Sequence, residues 1–305
     1  MPRIGIIIVT FNSGAVIGAC LDAALRTGAE IVVVDNASTD ATVAEAARRS
    51  VRLITNPANL GFGAAVNQGF AVLKFPYVLI LNPDAILGSS LEPLREACEL
   101  PGAAGAGGQL LSPEGRPQVG FMVRKLPGPA ALILEALLVN RIWPRNPINM
   151  EYRGLGLDYS VLQPVEQPAG AFLMIRRTVW EELGGFDEQF WPIWFEDVDF
   201  CRRAADRGYL LYYVPQAVAK HTGAHSISAL TVEMRRIYWY RSLLRYSAKH
   251  FRPAGVRAVS LAVITGSCLR AILESALAGS LRPLAEYGKV VRFAGRFLFG
   301  PAVVP

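Results

Sequence analysis

Four apolar runs, at residues 4–9, 31–34, 51–55 and 77–81, alternate with segments at 16–25, 39–47 and 64–73 whose apolar residues fall at helical spacing. The runs are mostly continuous and rich in Ile and Val, as a strand buried on both faces requires. Strands alternating with helices predict an α/β fold with a mostly parallel, doubly wound sheet. Each run leads into polar side chains: Thr10 and Asn12, Asp35 and Asn36, Asn56 and Asn59, Asn82 and Asp84. Open α/β sheets bind ligands outside the carboxyl ends of their strands, so these clusters mark one functional edge.

Beyond residue 100 the pattern loosens. Gly and Pro crowd residues 101–147. Strands are expected at 106–111 and 119–123, followed by an irregular, mobile excursion over 127–164, the kind of segment that forms lids or binding loops. A strand at 170–175, a helix at 178–183, a helix from the acidic run 196–199 to Arg207 and a strand at 210–214 follow. From about residue 230 the chain reads as helical, basic and aromatic.

Composition sets further limits. With 52% hydrophobic and 18% charged residues, disorder is excluded. The mean hydropathy of +0.29 raises the question of a membrane. The best charge-free candidate, 258–269 between Arg257 and Arg270, has 12 residues, and a span needs about 20. No conventional span is expected, and membrane contact is left open. The run at 4–9 stops at Thr10 with no cleavage site, so it reads as a strand and not as a signal peptide. Four scattered cysteines indicate neither a disulfide framework nor zinc, which points to the cytoplasm. Charge divides the chain. Residues 221–305 hold 12 Lys/Arg against 3 acids, a net of +9, and residues 1–220 hold 19 against 22, a net of −3. The expected division is a catalytic domain at 1–228 and a helical segment at 229–305.

Several groups carry chemistry. Asp84 closes a buried strand, where a carboxylate can hold a hard divalent cation and, through it, a diphosphate; a plain Asn/Asp-Pro turn is the structural alternative. Glu196, Asp197 and Asp199 repel one another and follow the aromatic run 190–195. A carboxylate in such partly apolar surroundings can act as a general base, and Trp191 and Trp194 offer faces for a sugar ring. The run from Asp35 to Asp40 can contact a nucleotide or cap a helix, or do both. Asn59, Gly61 and Asn67 belong to a glycine-bearing turn that is neither GxGxxG nor a Walker loop. His221 follows the last strand and could supply a second ligand beside Asp84, with His225 four residues on.

In order, these segments resemble glycosyltransferase family 2, with the GT-A fold, and its bacterial rhamnosyltransferase-like branch. The resemblance rests on residues 8–12, 33–40, 59–62 with Asn67, 81–84, 170–177, 184–188 and 196–199. It implies that Thr10, Asn12, Asp35 and Asn36 bind the base and ribose of a nucleoside-diphosphate sugar (dTDP, UDP or GDP). Asn59, Gly61, Asn67 and Asn82 would shape the diphosphate floor. Asp84 would hold Mg2+ or Mn2+, with His221 as a further ligand. Asp197 would be the catalytic base, with Glu196 beside it. Gly170, Ala171, Trp191, Trp194 and Asp199 would receive the acceptor. Asn82 stands where the family's DxD motif has its first acid, which removes one negative charge and predicts weaker cation binding.

The implied activity is inverting transfer of a sugar, L-rhamnose by branch, to a glycan or polyprenyl-diphosphate-linked acceptor in cell-envelope synthesis. The basic, aromatic stretch 235–246 suits a membrane surface, giving a peripheral protein on the inner face of the membrane; packing on the catalytic domain is the alternative. No nucleic-acid recognition fold is present, so no nucleic acid is expected. A nucleotide-sugar-binding protein without transfer activity is the second functional reading, and a basic adaptor the third. The acidic cluster disfavours the second and the polar strand ends disfavour the third.

Overall fold

The computed structural model describes residues 4–223 and 230–299. Within them the chain forms two compact units. The first takes the residues up to Leu126, Arg153–Pro192 and those from Glu196 to Gly223; the second takes Pro127–Tyr152, Ile193–Phe195 and those from Leu230 onward.

The first unit is built on β1 (Ile4–Thr10), β2 (Glu30–Asp35), β3 (Arg52–Thr55), β4 (Tyr77–Leu81), β5 (Ala85–Leu87) and β6 (Ala103–Leu111). It continues with β7 (Val123–Arg124), β8 (Gln163–Val165), β9 (Gln167–Pro168), β10 (Phe172–Arg176) and β11 (Leu210–His221). The main sheet runs β3-β2-β1-β4-β10-β6-β11-β5, with β8 also on β11; β7 and β9 form a separate ribbon. Strands β3, β2, β1 and β4 are mutually parallel, as are β6 and β11. Strand β10 is antiparallel to both its neighbours.

Strand period explains the two-sided core. Ile6, Ile8, Val33, Leu79 and Leu81 enter one apolar cluster, and Ile7, Val9, Val32, Val34, Val78 and Ile80 enter the other. The helices α1 (Ile17–Leu25), α2 (Thr42–Ala47), α3 (Phe62–Val72), α4 (Glu92–Cys98), α8 (Arg177–Leu183) and α9 (Glu196–Asp206) belong to this unit. Register brings the functional edge together: Thr10 pairs with Asp35, Ile8 with Leu81, Leu81 with Phe172, and Ala85 with His221.

Local expectations change in four places. The strand expected at 119–123 is a turn, with Phe121 and Met122 N–H groups donating to Gln118 O, and only Val123–Arg124 extends. The last strand runs on to His221 through an irregularity between Val214 and Val218. Helix α2 has no side-chain cap, because it begins at Thr42 with Ala41 in the cap position, while the expected caps Ser38 and Thr39 bond Asp35 and Asn12. Residues 127–152 carry α5 (Pro129–Ala136), α6 (Val139–Ile142) and α7 (Pro147–Tyr152) in place of an irregular excursion.

The second unit joins α5–α7 to α10 (Val232–His250), α11 (Pro253–Ala278) and α12 (Arg282–Phe299). Tyr240 and Tyr246 of the stretch expected at a membrane surface are buried, and Tyr246 packs on Phe195 and Phe251. The aromatic residues of α10 thus help to build a core. Helix α11, at 26 residues, is long and apolar enough to cross a membrane, by length and composition alone. The strict charge-free count missed it, because it carries Arg257 and Arg270 within its length.

Candidate functional site

The first group forms where β1 and β2 end. Thr10 Oγ1 donates to Asp35 Oδ1 at 2.8 Å, and Ser38 closes on the same carboxylate through its hydroxyl (2.5 Å) and its N–H (2.9 Å). Both Thr10 and Asp35 are buried. Asn12 adopts a positive φ of 49°, which Asn tolerates better than most residues. Its N–H donates to Ser38 Oγ at 2.8 Å, and its Oδ1 receives Thr39 N–H at 2.8 Å. Asn36 donates to Gly61 O at 3.1 Å and accepts from Asn56 at 2.9 Å.

Gly61 shapes the next part. Its φ is +91°, and an added Cβ would lie 2.8 Å from Trp191 Cδ1. A side chain there is excluded on both conformational and steric grounds. The contact brings exposed Trp191 beside Asn59, whose backbone O receives the indole N–H at 3.3 Å. Asn67 is engaged differently. Its amide donates to Phe186 O (3.0 Å) and Glu188 Oε1 (2.8 Å) and accepts Phe186 N–H (3.0 Å), so it clamps the loop at 184–188.

At the end of β4, Asn82 N–H donates to Ala171 O at 3.0 Å. Asp84 and His221 are both buried, with His221 Nε2 3.4 Å from Asp84 Oδ1 and 3.4 Å from Asn82 Nδ2. Burial pushes the Asp84 carboxyl up, but the hydrogen bond and charge of His221 with backbone N–H groups outweigh it and hold Asp84 below its ordinary value.

Gln118 sets the imidazole. Its Nε2 donates to His221 O at 2.8 Å, which turns its Oε1 toward His221 Nδ1 at 3.0 Å. Gln118 thus receives the Nδ1 proton, and Nε2 is the ring atom that faces Asp84. Phe121 stacks on the ring at 5.2 Å. Nε2 and Asp84 Oδ1 lie close enough for one cation to engage both. A carboxylate oxygen, an imidazole nitrogen and the nearby Asn82 amide are suitable donors for Mg2+ or Mn2+. The residues therefore fit a divalent cation whose remaining ligands come from elsewhere. Among the described residues no cluster of three His, Cys, Asp or Glu exists that would hold a metal by itself.

The third group opens α9. Asp197 is half-buried. Its Oδ2 receives Gly170 N–H at 3.0 Å and Gln167 Nε2 at 3.4 Å, and its Oδ1 receives Val198 N–H at 2.8 Å. Desolvation raises its pKa, against the opposing pull of the two backbone N–H groups and of Arg124. Gly170 leaves the space this carboxylate uses, since an added Cβ would lie 3.0 Å from Oδ2. Ala171, next in the chain, is the residue that receives Asn82 N–H, so Asp197 and Asn82 are tied to adjacent backbone residues.

Two carboxylates of the run turn inward. Glu196 is buried. Asp199 is fully buried and bonds Arg203 Nε at 2.7 Å, and Arg203 also donates to Leu183 O and Gly185 O at 2.7 Å. This geometry braces the junction of α8 and α9. Trp194 falls in the second unit, at a positive φ of 78°. His225 lies outside the described residues. Gln118, Arg124 and Gln167 escaped the sequence reading, because each acts across a separation that no local spacing reveals.

Residues 5–182 match the model of Glycosyl transferase family 2, and residues 150–242 match that of Glycosyltransferase like family 2. The chain is 32% identical over 276 residues to N-acetylglucosaminyl-diphospho-decaprenol L-rhamnosyltransferase of Mycobacterium tuberculosis, covering 80% of this chain and 88% of that protein. It is 27% identical over 199 residues to rhamnosyltransferase WbbL of Escherichia coli, covering 62% of this chain and 70% of that one. Among solved structures, mannosyltransferase PcManGT of Pyrobaculum calidifontis, in complex with GDP-Man and Mn2+, shares the fold with a TM-score of 0.55 at 18% identity, over 98% of this chain and 87% of that one. S. aureus TarS 1-349 in complex with UDP-GlcNAc gives 0.54 at 16% identity, over 97% and 81%.

Proposed function

The chain belongs to glycosyltransferase family 2, in its rhamnosyltransferase-like branch, and on that premise we propose that it transfers L-rhamnose, with inversion, from a nucleoside-diphosphate donor to a polyprenyl-diphosphate-linked glycan. The observation that carries this reading is Asp197, a carboxylate of raised pKa held by Gly170 N–H, whose neighbour Ala171 is bonded by Asn82, two residues from Asp84.

In this reading Asp197 accepts the proton of an acceptor hydroxyl. The freed oxygen attacks the anomeric carbon, and the bond from that carbon to the β-phosphate oxygen breaks. The electron pair leaves with the nucleoside diphosphate, and attack from the opposite face inverts the centre. Asp84 and His221, with Asn82 nearby, would hold Mg2+ or Mn2+, which supplies positive charge for the diphosphate. Thr10, Asn12, Asp35 and Asn36 line the base and ribose, while Asn59 and Gly61 shape the floor. Asn67 positions the loop at 184–188, and Trp191 flanks the acceptor. The diphospho-decaprenol acceptor in the relative's name supports placing the protein at the inner face of the membrane.

The test is turnover of a donor panel (dTDP-rhamnose, UDP-sugars, GDP-mannose) with and without Mn2+ on a lipid-linked acceptor. Such a base contributes about 10²–10⁴-fold, so Asp197→Asn is expected to lose activity by that factor while binding donor normally. Lost donor binding with activity mildly reduced rejects the assignment. A nucleotide-sugar-binding protein without transfer activity would bind a donor from this panel and turn none over.

A further inference from the structure

Helix α11 has two unlike faces. One carries Val256, Val259, Val263, Gly266 and Ala271, all buried. At Gly266 an added Cβ would lie 2.1 Å from Ala136 O of α5, so the helices touch backbone to backbone. The other face carries Leu261, Cys268, Leu269, Ile272 and Leu273, all exposed; Leu277, at 79%, is exposed at the end of the helix, in line with Val259. Leu281 (77%) and Leu284 continue it past Gly279. From Leu261 to Leu273 the stripe runs about 18 Å at helical rise. A long exposed apolar stripe of this kind marks an interaction surface.

Charge selects the partner. The two acids of α11 and α12 turn to one cation: Arg236 bonds Glu274 at 2.5 Å and Glu286 at 2.9 Å. Tyr287 OH donates to Glu274 at 2.8 Å. Arg282 also pairs with Glu286, and Lys289 with Glu233. Arg257, Arg292 and Arg296 are exposed and have no acidic partner among the described residues. Helices α11 and α12 thus present leucines and unpaired arginines, with their own two acids neutralised by Arg236. That is the composition of an in-plane interfacial helix pair. A second copy of the chain would bring the same arginines and repel them. A transmembrane placement would have lipid on every side of α11, yet 44% of its most apolar stretch is buried inside the protein.

We infer that the exposed leucine face of α11, with Arg257, Arg292 and Arg296, docks in the head-group layer of an anionic bilayer. The inference rests on the reading that the acceptor is a membrane lipid, and it names the surface that would reach it.

The chain carries its own probe. Cys268 lies in the stripe, while Cys20, Cys98 and Cys201 are buried, so a thiol-reactive environment-sensitive fluorophore labels Cys268 selectively. The full-length labelled protein is mixed with phosphatidylcholine vesicles containing one third phosphatidylglycerol. The emission is expected to shift to the blue and to be quenched by a nitroxide on the acyl chain. Arg292→Gln with Arg296→Gln should weaken vesicle binding about 25-fold, at about 5-fold per cation. Leu273→Glu with Leu277→Glu should abolish the shift with the melting temperature unchanged.

Flotation with a probe that stays in water would overturn the inference, since another surface then binds. So would no flotation, or a blue shift that grows with protein concentration without lipid. Transfer to a short-chain, water-soluble acceptor is measured in parallel. Lipid binding without transfer rejects the enzymatic reading alone; transfer without lipid binding rejects the docking face alone.

Discussion

At Asp197 two opposing influences act on one carboxylate. Burial raises its pKa, and the Gly170 and Val198 N–H groups with Arg124 pull it down, with burial the stronger. The transfer rate should therefore rise with pH through a value above the ordinary carboxylate range, and Asp197→Asn should abolish that limb of the pH–rate profile. Stability moves the other way. Below the ordinary carboxylate pKa both states are protonated and burial of the neutral acid carries no charge penalty. As pH rises the unfolded chain ionises first, so stability falls until the folded pKa is passed. Asp197→Asn should accordingly stabilise the protein at neutral pH and give no gain in acid, as denaturant titrations at both pH values would read. At His221, Gln118 orients the ring through both its amide groups. Gln118→Leu should weaken Mn2+ binding about 10- to 100-fold, read by titration with Mn2+ alone. Asp84 and Asp197 were legible in the sequence because each closes or opens a strongly patterned element. Gln118 was not, because it meets His221 only through the fold, 103 positions away.

At the scale of elements, the junction of α8 and α9 is held by one arginine. Arg203 bonds fully buried Asp199 and the carbonyls that end α8. Removing it leaves a buried carboxylate without its cation, which costs about 3–5 kcal/mol. Arg203 is itself partly exposed, so Arg203→Met should lower stability toward the smaller figure, measured by urea unfolding. The acidic run was conspicuous in sequence, yet its three acids have different tasks: Asp197 faces the short segment at Gly170, Glu196 is buried, and Asp199 braces α9. Helical spacing alone cannot divide them, because Asp199 meets Arg203 one turn on while Asp197 is fixed by a strand entering from residue 170. The parallel strands β1–β4 were read correctly for a simpler reason. Strands β1, β2 and β4 are buried on both faces, which leaves a continuous apolar run, and β3 at the sheet edge keeps only Leu53 and Ile54 half-buried. Strand β10 has the same look, and nothing within it states that it runs antiparallel between β4 and β6. The helices at 129–152 were missed because proline and glycine crowd them, while the residues they pack against lie more than a hundred positions on.

For the whole molecule, the charge difference between residues 1–220 and 221–305 has a measurable consequence. The net of +9 in the later segment acts on an anionic surface over a distance set by salt, about 10 Å at 0.1 M and about 3 Å at 1 M. The acids of α11 and α12 are occupied by Arg236, so the outward field of that segment is cationic. The earlier residues, net −3, hold Asp84 and Asp197 in buried or half-buried positions, where salt screens less. The two effects separate in one assay. Transfer to an acceptor carried in anionic vesicles should fall steeply as salt rises from 0.1 M to 1 M, because the enzyme leaves the surface. Transfer to a water-soluble acceptor should change little, since the chemistry at Asp197 depends on a local desolvated carboxylate. A parallel fall in both would place the salt-sensitive step at the donor diphosphate, with the basic segment uninvolved. The contrast is sharpest in the Arg292→Gln, Arg296→Gln variant, which should show a shallower salt dependence on vesicles, lose most of its vesicle activity and keep its rate on the soluble acceptor.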